Sequence, residues 1–149
     1  MARQRYWLRW AVFCLLAALY LAQAPPESSH PMATVKQLML DLIHPASNEI
    51  LLLVNRGGPK DDKDWAAVRR GAITLTESAN LLVLGCRARD QSDWIKDAKL
   101  LADAGAAAYK AAQAKDAALG AVAAPLDQSC TVCHRQYRPD VFPRQGDSQ

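Results

Sequence analysis

Apolar residues recur at spacings of three and four along most of this chain, and this period constrains the fold more than any other feature of the sequence. The pattern is clearest at Trp65, Val68, Ala72, Leu75, Ala79 and Leu82. Such a stripe lies on one face of an α-helix, as in the helices of antiparallel bundles. No segment shows convincing strand-like alternation of apolar and polar residues, so the sequence predicts an all-α protein.

Four helices are predicted, and the first carries the most distinctive local signals. It begins at Thr34, where Thr34 and Gln37 form a capping box, and runs to about Val54. Pro45 falls inside it and is expected to kink the axis or to remove a hydrogen bond near Asp41. A Gly-Gly-Pro turn follows the helix.

The other three helices are bounded by acidic caps, glycine and proline. The second follows the acidic stretch 61–64 and ends near Gly85. The third begins at Ser92 or Asp93. It is so rich in alanine that a neighbouring helix can approach closely, and its buried stripe is predicted to be Trp94, Ala98, Leu101, Ala108 and Ala112. The fourth is expected to end at Arg138 because Pro139 follows; within it, Pro125 is either a first-turn proline or a kink.

The predicted domain covers residues 34–138, and the segments before and after it differ from it in composition. Residues 1–24 join a basic start to an apolar run and a small-residue end, the layout of a secretory signal peptide. Pro25 would directly follow the cleavage site, so an uncleaved membrane anchor is the alternative; the apolar run is shorter than the ~20 residues of a transmembrane helix, which favours cleavage. Residues 25–33 read as a linker and residues 139–149 as a loose tail.

The charge of the chain excludes one class of partner. The chain has 18 Lys and Arg against 15 Asp and Glu, and removal of Arg3, Arg5 and Arg9 with the signal leaves 15 against 15. The mature protein is therefore close to neutral and has no basic stripe, so no binding of nucleic acid is expected. Its length suits one domain.

The fourth predicted helix contains Cys130, Thr131, Val132, Cys133 and His134, which spell C-x-x-C-H. This is the attachment motif of a c-type haem. On a helix the two thiols and the imidazole share one face, so the thiols can reach two vinyl groups while the imidazole binds iron. A thioredoxin-like pair would need a βαβ context and a zinc site a second ligand pair, and neither is apparent; a structural disulfide is the plain alternative.

We therefore predict one covalently attached haem c per chain. Of the two other cysteines, Cys14 leaves with the signal. Cys86 then has no disulfide partner, and at the end of an apolar helix it is predicted to be a small buried hydrophobe.

A four-helix chain whose last helix carries C-x-x-C-H followed by x-x-Tyr-Arg resembles the class II c-type cytochromes, the cytochrome c-prime and c-556 family. The likeness covers residues 33–138 and includes the stretch 39–46 with its proline and the tryptophan at the start of the second helix. Class I cytochromes have the opposite order, with the motif first and a methionine ligand downstream, whereas no methionine follows His134 here. The resemblance implies an antiparallel four-helix bundle with a covalently bound haem.

The resemblance also implies roles for individual residues. Met39 matches the position from which the first helix of c-556-like proteins presents a methionine sulfur to the iron, opposite His134; its alternative role is as core filler. His44, five residues further on, is predicted to lie on a different face, in a surface or cap role. The family often has an arginine that reaches a haem propionate where this chain has Val35, and Lys36 is the candidate substitute.

Two residues after the motif receive provisional roles. The resemblance puts Arg138 beside the proximal histidine; it also suits compensation of the helix dipole. Tyr137 is expected either to pack on the haem edge or to fill a helix interface.

The function implied is that of a periplasmic carrier, not an enzyme, which passes single electrons between redox partner proteins. One alternative is a five-coordinate, c-prime-like binder of nitric oxide or carbon monoxide. Another is a non-haem C-x-x-C protein that holds zinc or a labile disulfide. The oligomeric state stays open: Leu51, Leu52 and Val54 surround the apolar stripe of the first helix, so a homodimer is one expectation, and membrane association is expected only if the N-terminal segment is uncleaved.

Overall fold

A computed structural model of the protein describes residues 31–140. Four long helices and two short 3-10 turns account for most of these residues, and no strand occurs among them. The predicted signal peptide, most of the linker and residues 141–149 of the tail lie outside the described residues. Helix α1 consists of three consecutive segments, Val35–Leu38, Met39–Ile43 and His44–Asn55; α2 is Asp62–Val83, α3 is Asp93–Ala114 and α4 is Ala123–Tyr137.

The start of α1 confirms the capping box. The backbone N–H of Gln37 donates to the hydroxyl of Thr34 at 3.2 Å, and the N–H of Thr34 donates to the side-chain oxygen of Gln37 at 2.9 Å. Both groups would otherwise be unpaired donors at the helix terminus, so the pair fixes where the helix begins.

Pro45 alters the middle of α1, as the sequence predicts. The segment Met39–Ile43 is π-helical, and the N–H of His44 donates to the carbonyl of Met39, five residues back. Proline has no N–H, and its ring crowds the carbonyl four residues earlier. The chain accommodates this with one wide turn, after which the α-helix continues to Asn55.

The stripes predicted for α2 and α3 are confirmed, because all their members are buried except Trp65, which is half-buried. The two helices approach closely. A Cβ atom on Gly105 of α3 would lie 2.6 Å from the Thr76 hydroxyl oxygen and 3.1 Å from the carbonyl oxygen of Ala72, both on α2. Only glycine fits at this crossing.

Polar contacts near the helix ends give the relative directions. The indole N–H of Trp94, at the start of α3, donates to the carbonyl of Leu82, at the end of α2, at 2.8 Å. At the other end of α3, Lys115 pairs with Asp62 at the start of α2. Gln136 near the end of α4 contacts Asp93 at the start of α3. Helix α3 therefore runs antiparallel to α2, and α4 runs antiparallel to α3. This arrangement is compatible with a four-helix bundle.

The two ends of α4 refine the predicted boundaries. Pro125 lies in the first turn of α4, where its missing N–H costs nothing, so the first-turn alternative is correct and the kink is not. That helix ends at Tyr137, and Arg138 is its C-cap.

The prediction for Cys86 was wrong, because this residue is exposed. Helix α2 ends at Val83, Leu84 is extended, and Gly85 turns the chain with a φ of +54°. The apolar period therefore stops before Cys86, which lies in the 3-10 turn Gly85–Arg87 and outside the stripe.

Two further observations concern the predicted homodimer face and the predicted membrane association. Leu52 is 59% exposed, whereas Leu51 and Val54 are half-buried against the core of their own chain. A homodimer through this face stays a prediction. Between residues 31 and 140, no helix combines the length and the apolar character that a membrane span requires.

The burial of the two tryptophans predicts different costs for their removal. Trp94 is 3% exposed and loses an indole hydrogen bond on truncation, so Trp94→Ala should lower the free energy of unfolding by about 3 to 5 kcal/mol. Denaturant unfolding followed by circular dichroism measures this. Trp65→Ala is the matched control and should cost less, because that ring is half-buried; the reverse order of the two losses would contradict this description of the core.

Candidate functional site

One cavity of about 380 Å³ brings together five of the six predicted site residues, including Arg138. Met39 lines it from α1, and Cys130, Cys133 and His134 line it from α4. The rest of the wall is mainly apolar and includes Ile43, Leu51, Leu82, Trp94, Ala98 and Leu101. A volume of this size and a lining of this kind are typical of a small-molecule or cofactor site. A larger cavity of about 550 Å³, lined largely by alanines of α3 and of the turn before α4, contains none of the predicted site residues.

The two cysteines of the motif are free, partly buried thiols. Burial raises the pKa of the Cys130 thiol above its usual value. Burial, followed by the nearby charge of Asp97, raises the pKa of the Cys133 thiol to about 12. Both groups are therefore protonated at neutral pH, and neither is an activated thiolate of the thioredoxin kind.

His134 follows Cys133 on the same face of α4 and is half-buried. Burial lowers the pKa of its imidazole, and the positive charge of Arg138 lowers it further. The neutral ring keeps a nitrogen lone pair, which is the form that binds a metal.

Met39 and His44 both line the cavity, so the prediction that they lie on different faces of the helix was wrong. That prediction assumed a regular α-helix, in which residues three and four apart are neighbours. The π turn pairs residues five apart, and it does so between Met39 and His44. Pro45 was the sequence signal for this change. The His44 side chain is exposed, and its Nε2 lies 3.5 Å from the amide nitrogen of Asn48.

Arg138 and Tyr137 differ in their relation to the cavity. Arg138 lines it, and its N–H donates to the carbonyl of His134 at 2.8 Å. Tyr137 is not among the lining residues. Its ring packs edge-on against Trp94, with centroids 4.9 Å apart, and its hydroxyl donates to Asp90. This is the helix-interface role that the sequence left open.

Asp97 is a cavity residue that the sequence analysis did not identify. It lies on α3 and is 6% exposed, and its carboxylate accepts a hydrogen bond from the Cys133 thiol. Burial is the main cause that raises the pKa of its carboxyl. The signal in the sequence was an acidic residue three positions after Trp94 and next to Ala98, on the buried side of the helix.

The donor set fits a haem better than a bare metal ion. Within the part of the chain that the structure describes, no group of three or more His, Cys, Asp or Glu side chains could hold a metal ion. A haem iron already has four porphyrin ligands and takes only axial donors from the protein. One imidazole, one thioether sulfur and two thiols around a mainly apolar cavity are the groups that a covalently bound haem would use.

Comparison with known proteins adds no relative. No protein-family model matches this chain, and no curated protein and no solved structure shows significant similarity to it. The functional interpretation therefore depends on the motif and on the geometry described above.

Proposed function

We propose that this protein is a monohaem c-type cytochrome of the class II kind, which carries single electrons between redox partner proteins in the periplasm. One observation carries the proposal: the two thiols and the imidazole of the C-x-x-C-H motif line the same cavity as Met39, although about 90 residues separate them in sequence. The Met39 thioether would serve as an iron ligand in a haem site, whereas beside a zinc site or a redox disulfide it would be only core filler.

The residues of α4 would attach the cofactor. Cys130 and Cys133 would hold the haem through two thioether bonds, each formed by addition of S–H across one vinyl group, with the sulfur on one carbon and the hydrogen on the other. No oxidant is needed for this addition, but both thiols must be free and reduced, as Cys130 and Cys133 are. His134, held neutral by burial, offers its lone pair to the iron from the same helix face.

The residues of α1 and α3 would complete the site. Bound haem supplies one-electron chemistry at its iron. Met39 offers a thioether sulfur from α1, and this ligand type raises the reduction potential. Ile43, Leu82 and Trp94 supply apolar side chains to the cavity wall. Ligation by both His134 and Met39 would leave no open position for a substrate, which would suit a carrier and not an enzyme.

The optical spectrum of the protein, produced in a host that assembles c-type haem, tests this function. A low-spin spectrum with a Soret band is expected for His134 and Met39 ligation. A high-spin spectrum would favour the alternative, a five-coordinate binder of nitric oxide or carbon monoxide. A protein without a Soret band would contradict both proposals and favour a non-haem C-x-x-C protein.

Replacement of both motif cysteines tests the covalent attachment. The variant with Cys130→Ala and Cys133→Ala should lose its haem on acid-acetone extraction, because no thioether bond can form. Cys86→Ala is the matched control: it removes an exposed free thiol of the same chain and should retain the haem. Haem that survives extraction from the double variant would rule out attachment through this motif.

Replacement of Met39 tests the axial ligand. Met39→Leu nearly preserves volume and apolarity, so the free energy of unfolding should change by less than ~1.5 kcal/mol. The spectrum should change from low-spin to high-spin or water-ligated, and the reduced protein should begin to bind carbon monoxide.

The exposed His44 is the matched comparison, because it lines the same cavity from the same turn of α1. His44→Gln should leave the low-spin spectrum unchanged. If His44→Gln alters the spectrum and Met39→Leu does not, His44 and not Met39 is the ligand.

A further inference from the structure

Asp97 stands out as a buried acid in the wall of the cavity. Its side chain is 6% exposed, and among residues 31–140 its Oδ2 is the one buried side-chain nitrogen or oxygen that lacks a hydrogen-bond partner. Burial of a charged carboxylate without full pairing is costly, so such a group tends to take up a proton. The proposed electron-transfer function assigns no role to this carboxylate.

The groups around Asp97 on its own side of the cavity make the charged form still less favourable. The carboxylates of Asp93 and Asp90 lie close enough to raise its pKa, after burial as the largest cause. Lys96 lowers the pKa, but it is the smallest of these effects and its ammonium pairs with Asp93. The local field is therefore net negative.

The groups that face Asp97 from the other helices do not replace the missing partner. Cys133 of α4 donates its thiol hydrogen to the carboxylate, and Tyr137 directs its hydroxyl to Asp90. Arg89 lies over the ring of Trp94, 6.0 Å from its centroid. Helix α2 contributes the apolar Leu82. The other titratable residues that line the cavity are His44, Asp127, Cys130, His134 and Arg138.

Attachment of a haem would change this environment in one respect. Cys133 has no thiol hydrogen once its sulfur is part of a thioether, so Asp97 loses the hydrogen bond that lowers its pKa. The charge of the carboxylate then depends more strongly on the charge of its surroundings. A ferric site carries one more positive charge than a ferrous site, so it attracts the ionised Asp97 carboxylate more strongly. When the site gains an electron this attraction falls, and the fall is larger here than in water because the medium is less polar.

We propose that Asp97 is a redox-linked proton acceptor, which takes up one proton from water when the protein accepts one electron from a donor protein and releases it when the electron leaves. The inference rests on the proposed haem function and adds to it the uptake of one proton with each electron. The step balances: a hydronium ion of the solvent loses one O–H bond and becomes water, the carboxylate gains that proton as the O–H bond of a carboxylic acid, and with the added electron the net charge of the protein is unchanged. Exposed His44 and Arg138 line the same cavity, so water and protons have access to it.

The coupling has a defined dependence on pH. Asp97 holds its proton more tightly in the reduced protein than in the oxidised one. Between the two pKa values, each tenfold fall in proton concentration lowers the reduction potential by ~59 mV for one electron. Below this range Asp97 is protonated in both states and above it ionised in both, so the potential depends on pH only in between.

Redox titration of the haem-loaded protein over a range of pH tests the proposal. The wild type should show the sloped region, and Asp97→Asn, which is neutral at every pH, should lose it. Asp103→Asn is the matched control: it removes an exposed carboxylate, paired with Lys99, from the same helix and should keep the slope. A wild-type potential independent of pH, or the full slope retained in Asp97→Asn, would overturn the proposal.

A second measurement on the wild type does not depend on the variant. Infrared difference spectra of the reduced and oxidised protein should show the carbonyl band of a protonated carboxyl in the reduced state, and this band should be unchanged in Asp103→Asn. Its absence in the wild type overturns the proposal even if Asp97→Asn fails to fold. A protein without a Soret band would refute the haem function together with this inference, whereas a haem-containing protein with a flat potential refutes the inference alone.

Discussion

The missing N–H of Pro45 determines what α1 presents to the cavity. A regular helix would carry Met39 and His44 on different faces, but the proline cannot complete the hydrogen-bond ladder, and the chain forms one π turn between Met39 and Ile43. The side chains of the capped segment before this turn therefore point in directions that are independent of those of the buried segment after it. Met39 can face α4 while Ile43, Ala46 and Ile50 still pack in the core. The composition of the candidate site depends on this local adjustment.

Trp94 joins three elements at the same end of the structure. Its indole N–H binds the carbonyl of Leu82, its ring packs edge-on against Tyr137, and its side chain forms part of the cavity wall. Tyr137 in turn bonds to Asp90, which also accepts the backbone N–H of Trp94. These contacts hold α3 against the ends of α2 and α4, so the helix that carries the C-x-x-C-H motif is fixed relative to the wall that carries Asp97.

Much of the fold could be predicted from the sequence, because caps and apolar stripes are local signals. Thr34 and Gln37, the acidic start of α2 and the stripe of α3 all gave helices close to those observed. The errors arose where the regular period stops. Cys86 was assigned to a helix that ends at Val83, and His44 was assigned to the wrong face because the period changes at a π turn.

The candidate site could likewise be predicted from the sequence only in part. The motif residues Cys130, Cys133 and His134 are adjacent in sequence, so their shared face could be predicted, and Met39 was identified by resemblance. Asp97 could not be found in this way. The period of α3 places Asp97 on the buried side of the helix, but only tertiary packing shows that one of its carboxylate oxygens is buried without a partner.

A π turn is equivalent to one extra residue inserted into an α-helix. If the same residues formed a continuous α-helix, with Pro45 replaced, the wide turn would no longer absorb the extra residue, and everything before it would be rotated by roughly 100° relative to everything after it. The N-terminal turn of α1 would then point its side chains in a new direction, while the rest of the core would keep its packing. The helix type of this segment therefore sets the rotation of the N-terminal turn, and substitution of the single residue Pro45 is enough to change the cavity wall without a change in the fold.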